Sequence, residues 1–360
     1  MVTWLEEAAS ADPGRLHTEG RLVRAGLEEA RERIAALFAV RPRQVVLTSG
    51  GTEAINAAVW GATLADPGPV LCAAVEHSAV RDASTRSAPV VTVAVDRLGR
   101  IDPAAVEDAL TRCRAEYGRP PGLVHCQWAN HEVGTVQPVA AVLERCRSEG
   151  ARVHVDAVVG AGHAPLDLGA LDADLVSVSA HKLGGPAGMG ALIVRRGLRL
   201  EPLLVGGEQE RARRAGLENV LGAVGFAAAA AELTEAGVLA HEVEEARRHT
   251  GGLVAAALAV DGVALLGDPV HRAAHIVCLT VDGVEAEPVL LGLDQAGIAV
   301  HSGSSCSSET LEPSPVLEAM GVDAERSLRL SVGWSTTEDD VAAFASAFAG
   351  VVERLRALRS

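Results

Sequence analysis

Between about residues 44 and 195 the sequence alternates between short valine-rich runs and helical stretches, and this alternation constrains the fold most strongly. Most runs are apolar on both faces, which is typical of strands covered on both sides in a mainly parallel sheet. The predicted strands are 44–48, 69–74, 89–95, 122–128, 152–156, 174–179 and 190–195. The pattern predicts an α/β fold, whose ligands bind beyond the carboxyl ends of the strands.

The remainder of the chain predicts a second, smaller unit. Residues 217–236 and 241–258 are alanine-rich and helical, strands are predicted at 274–281 and 328–332, and a final helix begins at Glu338. We expect a large domain over residues 1–240, with a mainly parallel sheet flanked by helices. A smaller α+β domain is expected over residues 241–360.

Charge and cysteine usage exclude several classes of function. The net charge is −15, which disfavours nucleic acid and anionic membranes as partners. No uncharged apolar stretch reaches the roughly 20 residues that span a bilayer, and the first residues do not resemble a signal peptide. The six cysteines contain no Cys-x-x-Cys pair, so we expect reduced thiols and a cytoplasmic protein without a metal site.

Two residues that follow predicted strands indicate the chemistry. Lys182 comes just after the run 174–179, and Asp156 closes the run 152–156. A lysine amine can bind the aldehyde of pyridoxal phosphate, while a carboxylate keeps the pyridine nitrogen protonated. Taken alone, Lys182 is better explained as a solvated lysine and Asp156 as a turn aspartate, so the prediction rests on the pair.

The segment Thr48-Ser-Gly-Gly-Thr-Glu53 follows a strand and opens a helix. Glycines allow close approach of an anion, and the amides of a helix start point toward it, so this segment predicts a phosphate site. A simple helix cap is the alternative interpretation. Ser179 and His181, beside Lys182, offer further hydrogen bonds to a phosphate.

Three more residues have a functional and an ordinary interpretation. His77 is able to stack on a flat ring, or is a surface histidine at a helix start. Cys306 lies among small residues, so it is an exposed nucleophilic thiol or a chance loop cysteine. Arg329 alternates with apolar residues in a strand, and its partner is a substrate carboxylate or a buried structural acid.

Taken together, nine ordered motifs resemble the group I cysteine desulfurases, class V enzymes of the fold-type I family that use pyridoxal 5'-phosphate. The likeness runs from about residue 14 to the end of the chain. The matching segments are 48–53, 76–77, 130–135, 155–157, 179–186, 206–211, 302–308, 311–314 and 328–333.

The resemblance implies specific roles around the cofactor. Lys182 would carry the cofactor and move the substrate α-proton, Asp156 would pair with the ring nitrogen, and His77 would stack on the ring. The cofactor-binding residues that the resemblance implies are Gly50, Gly51, Thr52, His77, His131, Asp156, Ser179, His181 and Lys182.

The resemblance also implies a reaction and partners. Arg329 and Asn130 would bind L-cysteine, and Cys306 would take its sulfur as a persulfide, leaving L-alanine. The sulfur would pass to an acceptor protein. The family is homodimeric, and residues 206–217 would reach the cofactor of the partner.

The sequence departs from the family pattern in several places, and three of these departures bear on hydrogen bonds to the cofactor. Val159 replaces a glutamine, His131 replaces an asparagine, and Leu217 replaces a threonine. These changes remove up to three hydrogen bonds to the cofactor, each worth roughly 0.5–1.5 kcal/mol. They keep two other interpretations open, a different lyase for C–S or C–Se bonds and a scaffold without turnover.

Overall fold

The computed structural model describes residues 1–2, 4, 11–164, 167–302 and 313–358. Cys306 therefore lies outside the described residues. The helices are α1 Thr18–Leu37, α2 Gly51–Ala65, α3 Ser78–Ser87, α4 Pro103–Tyr117, α5 Val139–Ser148, α6 Leu168–Leu171, α7 Val220–Thr234, α8 Val238–Leu258, α9 Ala286–Asp294, α10 Pro315–Ala319 and α11 Glu338–Ala357. The strands are β1 Val45–Thr48, β2 Val70–Ala73, β3 Val90–Val93, β4 Leu123–Gln127, β5 Val153–Asp156, β6 Leu175–Ser179, β7 Gly190–Val194, β8 Val263–Leu266, β9 Ile276–Val281, β10 His301–Ser302 and β11 Ser327–Ser331.

The seven predicted strands form one sheet in the order β1-β7-β6-β5-β4-β2-β3. Only β7 runs against its neighbours in this sheet, so the prediction of a mainly parallel sheet is confirmed. Strands β1, β2 and β4 to β7 are buried along their whole length, while the edge strand β3 is partly exposed. Burial on both faces explains why these strands read as continuous apolar runs.

Local signals set the ends of several helices. In α4, the Asp102 side chain accepts a hydrogen bond from the Ala104 amide, and Pro103 occupies the first turn. Gly118 ends the helix with a φ of 70°, a conformation that glycine adopts without steric cost. The start of α4 is therefore set by Asp102 and Pro103, and its end by glycine.

A second sheet has the antiparallel order β10-β11-β9-β8 and its own apolar core, formed with α8, α9 and α11. Helix α7 packs instead on α1 beside the large sheet. This change of partner between α7 and α8 supports the proposed division after residue 240. Strand β8 was not predicted, although its four residues are all apolar; in the fold they are only partly buried or exposed.

Within the described ranges, no single helix is both long and apolar enough to cross a membrane. The pair α7 and α8, which is bent by 82°, meets the criteria of length and composition only when taken together.

Candidate active site

A cavity of about 1220 Å³ opens where the carboxyl ends of the central strands face the second sheet. Gln127, Asp156 and Ser179 line it from the large sheet, and Arg329 lines it from β11. The site residues predicted from the sequence that line this cavity are Gly51, Thr52, His77, His131, Asp156, Ser179, His181, Lys182 and Arg329. The tertiary structure thus brings together residues that lie up to 278 positions apart in the sequence.

Lys182 lies on a short 3-10 turn, Ala180–Leu183, that directly follows β6. Gly184 ends this turn with a φ of 84°, and His163 Nε2 lies 2.8 Å from the carbonyl oxygen of Lys182. The residue is exposed, but it is exposed to the cavity that it lines. The turn therefore places an amine at the edge of the sheet where ligands bind.

Lys182 is also the only lysine in the sequence, because every other one of the 32 basic side chains is arginine. The sequence interpretation treated lysine as a common surface residue and missed this signal. In a chain that uses arginine everywhere else, a solvated surface lysine is a poor explanation for the residue. Any ligand that binds covalently to a side-chain amine must therefore bind at Lys182.

Asp156 ends β5 and is largely buried beside the same cavity. Among the described residues, its carboxylate accepts one hydrogen bond, from the Val158 amide to Oδ1 at 3.0 Å. Burial raises the pKa of Asp156, and the nearby His77 and His131 rings oppose that rise. A buried carboxylate with so few partners is suited to bind a cationic ring nitrogen.

The predicted phosphate site is formed by the start of α2 and by the end of β6. A Cβ atom on Gly51 would lie 2.6 Å from Val158 Cγ2, so no larger residue fits there. Ser179 Oγ and His181 Nδ1 are 2.9 Å apart. Gly50 immediately precedes this helix, and it does not itself line the cavity. Exposed amides of a helix start beside hydroxyl and imidazole groups form a suitable anion site.

His77 caps α3, because its Nδ1 accepts a hydrogen bond from the Ala79 amide at 3.0 Å. His77 therefore starts a helix and also lines the cavity. The cap fixes Nδ1 as the acceptor and leaves the proton on Nε2. His131 packs edge-on against it with ring centroids 4.9 Å apart.

Arg329 and Asn130 occupy different environments. Arg329 lies opposite His301 in the second sheet, lines the cavity, and donates from Nη1 to the His131 carbonyl oxygen at 3.0 Å. Asn130 is fully buried and does not line the cavity. Its amide group donates to Val75 and Gln127 and accepts from two backbone amides. This geometry supports a substrate role for Arg329 and gives Asn130 the role of holding its own turn.

The sequence interpretation missed a pair of histidines beside Lys182. His163 and His275 stack with ring centroids 3.6 Å apart and an interplanar angle of 21°. Burial lowers the pKa of both rings, and the charge of Lys182 lowers that of His275 further. Neither residue lies in a recognisable motif, and only the fold brings them together.

Glu76, next to His77, is fully buried, and its Oε1 accepts a hydrogen bond from the Gln127 amide at 2.7 Å. Burial, with the charge of Asp156, raises its pKa to about 8. Between about pH 4.5 and 8, the Glu76 carboxyl group is therefore protonated in the folded state. In the unfolded state, where its pKa is near 4.5, it is ionised. The contribution of Glu76 to the free energy of unfolding therefore falls as pH rises between about 4.5 and 8.

We expect Glu76→Gln, which cannot ionise, to lose this pH dependence. Relative to the parent, the variant should gain free energy of unfolding as pH rises from 5 to 8, by at most about 1.4 kcal/mol per pH unit. Urea unfolding of both proteins across this range measures the difference. The exposed Glu107→Gln is the matched control, and a Glu76→Gln difference that is constant with pH would contradict the expectation.

The residues of the cavity fit pyridoxal phosphate. An amine, a buried carboxylate and a helix start with small residues line one space, which matches the aldehyde, the ring nitrogen and the phosphate of that cofactor. Among the described residues, no group of three or more His, Cys, Asp or Glu side chains is arranged to hold a metal ion.

Comparison with known proteins identifies the family. The family model described as aminotransferase class-V matches residues 3–344. The chain therefore belongs to the class V aminotransferase family.

Within that family, similar proteins include several cysteine desulfurases. A cysteine desulfurase from Nostoc sp. is 38% identical over 358 residues, covering 96% of this chain and 87% of the relative. A putative cysteine desulfurase IscS 1 from Bacillus subtilis is 38% identical over 357 residues, covering 96% and 92%. A solved NifS-like protein superposes with a TM-score of 0.88 at 28% identity, covering 98% of this chain and 94% of the other. The resemblance found in the motifs, and the fold that it implied, are confirmed.

The departures from the family pattern fall in two environments. Val159 and His131 both line the cavity. Leu217 is 63% exposed in this single chain. The first two therefore change the wall that would face the cofactor, while the third changes the outer surface.

Proposed function

We propose that this chain is a pyridoxal phosphate-dependent cysteine desulfurase that converts L-cysteine to L-alanine. The C–S bond of cysteine breaks and an S–S bond forms to Cys306, so the products are alanine and a persulfide on the enzyme. Atoms and electrons balance without a further oxidant or reductant. The observation that carries the proposal is the single lysine of the chain, which faces a cavity shared with Asp156 and Arg329.

Each side chain that lines the cavity has a role that follows from its position. When bound at Lys182, the cofactor supplies an electron-accepting ring. Lys182 moves the α-proton of the substrate, and Asp156 holds the ring nitrogen in its protonated form. His77 lies against the ring, and Arg329 binds the substrate carboxylate through its planar guanidinium group.

The start of α2, with Gly50, Gly51 and Thr52, holds the phosphate together with Ser179 and His181. The preorganised amides supply hydrogen bonds to the anion without a change in backbone conformation. His131 takes the place of the family amide beside the ring.

We also propose a homodimer in the cytoplasm that passes its sulfur to an acceptor protein. Exposed apolar side chains at both ends of the segment 206–217 support the dimer, because Val205 directly precedes the segment and Leu217 ends it. The net charge of −15 favours partners other than nucleic acid or anionic membranes.

Incubation with L-cysteine tests the reaction directly. We expect alanine in the amino-acid products and one added sulfur atom on the Cys306 peptide, both detected by mass spectrometry. The buried Cys72 peptide is the internal control and should gain no sulfur. Cys306→Ala should lower the rate of alanine formation at least about a hundredfold, because the nucleophile is lost.

A Cys306→Ala variant that releases sulfide from cysteine as fast as the parent would contradict this mechanism. That result would favour a lyase that breaks C–S or C–Se bonds without a persulfide. Absence of turnover in a protein that still binds the cofactor would favour the scaffold.

A further inference from the structure

The turn that carries His131 is held by the buried side-chain amide of Asn130. Asn130 Oδ1 accepts hydrogen bonds from the backbone amides of Glu132 and Val133 at 2.9 and 2.8 Å. Asn130 itself is fully buried. The direction of the next two side chains is therefore set by the backbone, and His131 reaches the cavity while Glu132 points into the protein.

Glu132 makes one contact with each of its carboxylate oxygens. Its Oε1 lies 3.4 Å from His131 Nε2, and its Oε2 accepts a short hydrogen bond from the Ser314 hydroxyl. The side chains of Glu132 and His131 are only 2% and 10% exposed. Water therefore screens the interaction between this carboxylate and the imidazole only weakly.

His131 touches both halves of the active site. Its ring packs against His77, and its carbonyl oxygen accepts the hydrogen bond from Arg329. Charges face it from several elements, because Asp156 on β5 and Glu76 after β2 both interact with the ring, and the cationic Arg329 approaches from β11. Within the part of the chain that the structure describes, the acidic side chains of Asp156, Glu76 and Glu132 thus interact with the ring of His131.

We propose that Glu132 is a positioning residue that holds His131 as a proton-donating group against the cofactor ring and, through the same residue, fixes Arg329 for the substrate carboxylate. This inference rests on the proposed function and deepens it. Because His131 stands where the family pattern has a neutral asparagine, the carboxylate of Glu132 lies beside an imidazole in this chain. Ser314 anchors the pair from the start of α10.

The protonation of His131 itself provides the test. Histidine labelled with ¹³C at Cε1 gives one resonance per ring, and the His131 signal is assigned by its loss in His131→Asn. We expect Glu132→Gln, which keeps the shape but removes the charge, to lower the pH midpoint of that signal by roughly one unit. Glu132→Asp, which keeps the charge, should retain most of the parental midpoint.

Two further measurements separate positioning from a structural role. The holoenzyme's visible absorption should show a pH transition that moves with Glu132→Gln in the parent but not in the His131→Asn background. The KM for L-cysteine should rise more than kcat falls, since Arg329 loses a fixed neighbour. The exposed Glu107→Gln is the matched control and should change neither readout.

An unchanged midpoint for His131 in Glu132→Gln would overturn the proposal, as would an equal shift from Ser314→Ala, which leaves the charge in place. The resonance is measured without cysteine turnover and is present whether or not cofactor binds. Failure of cofactor attachment at Lys182 would therefore contradict the proposed function but not the positioning role of Glu132. The two outcomes are distinguishable.

Discussion

Lys182→Ala is expected to reduce the rate of alanine formation from L-cysteine at least about a thousandfold, because the variant loses both the covalent attachment and the group that moves the α-proton. The sequence contains no other lysine, so no neighbouring side-chain amine is available to substitute. Lys182→Arg keeps the positive charge but cannot attach the cofactor, and it should fail equally. This comparison separates covalent chemistry from electrostatics.

The measurement combines kinetics with mass spectrometry. Borohydride reduction of the parent holoenzyme should fix one cofactor per chain on the Lys182 peptide, and both variants should lack that adduct. Comparable melting temperatures for all three proteins would show that the fold is intact. An adduct on the N-terminal amine, or a variant that keeps a tenth of the parental rate, would rule out the assigned role of Lys182.

The second large effect is expected in stability, at a buried ion pair remote from the cavity. Arg31 of α1 donates two parallel hydrogen bonds to Glu210, both at 2.7 Å. Glu210 also accepts from the Leu47 amide at 2.9 Å, and the two side chains are 2% and 1% exposed. The pair joins α1, β1 and the segment 206–217.

Glu210 also begins an unfavourable stretch of backbone. Glu210, Arg211 and Ala212 have φ values of 48°, 59° and 59°, and each left-handed non-glycine residue costs roughly 1–2 kcal/mol. The bidentate pair holds this turn in place. Arg214, two residues further on, binds Glu53 at the start of α2 with an Nε to Oε1 distance of 2.9 Å, so the turn is coupled to the predicted phosphate site.

Glu210→Ala should therefore lower the free energy of unfolding by about 3–5 kcal/mol, because Arg31 remains buried without its counterion. Denaturant unfolding of the holoenzyme measures the loss. The exposed neighbour Glu208→Ala is the matched control and should change stability by less than about 0.5 kcal/mol. The double variant Arg31→Met with Glu210→Met removes both charges and should lose less than Glu210→Ala.

A Glu210→Ala variant within about 1 kcal/mol of the parent would mean that the turn persists without the pair. Cofactor affinity provides a second readout, because release of the turn should loosen Arg214 from Glu53. We expect weaker cofactor binding in Glu210→Ala than in Glu208→Ala.

Much of the fold follows from patterns that are local in the sequence. Strands β1, β2 and β4 to β7 were predictable because both faces are buried and each run is continuously apolar. The strand β8, which is apolar but only partly buried, was not predicted. The five cysteines within the described residues are all buried, while Cys306 lies outside the described residues.

The candidate site was predictable to the extent that it lies at strand ends. Asp156, Ser179 and Lys182 follow directly from the rule that ligands bind at the carboxyl edge of a parallel sheet. The stacked rings of His163 and His275 were not predictable, because each is an isolated histidine in the sequence. The engagement of Asn130 with its own turn was likewise invisible without the backbone around it.

The sequence by itself determined the α/β architecture, the order of the motifs and the family, since periodicity and short motifs are properties of adjacent residues. Tertiary structure alone decided which distant groups meet. Arg31 pairs with Glu210 across 179 positions and Glu132 with Ser314 across 182. Such pairs depend on how helices and sheets pack, and it is this packing that buries the charges, raises the pKa of Glu76 and sets the environment of Lys182.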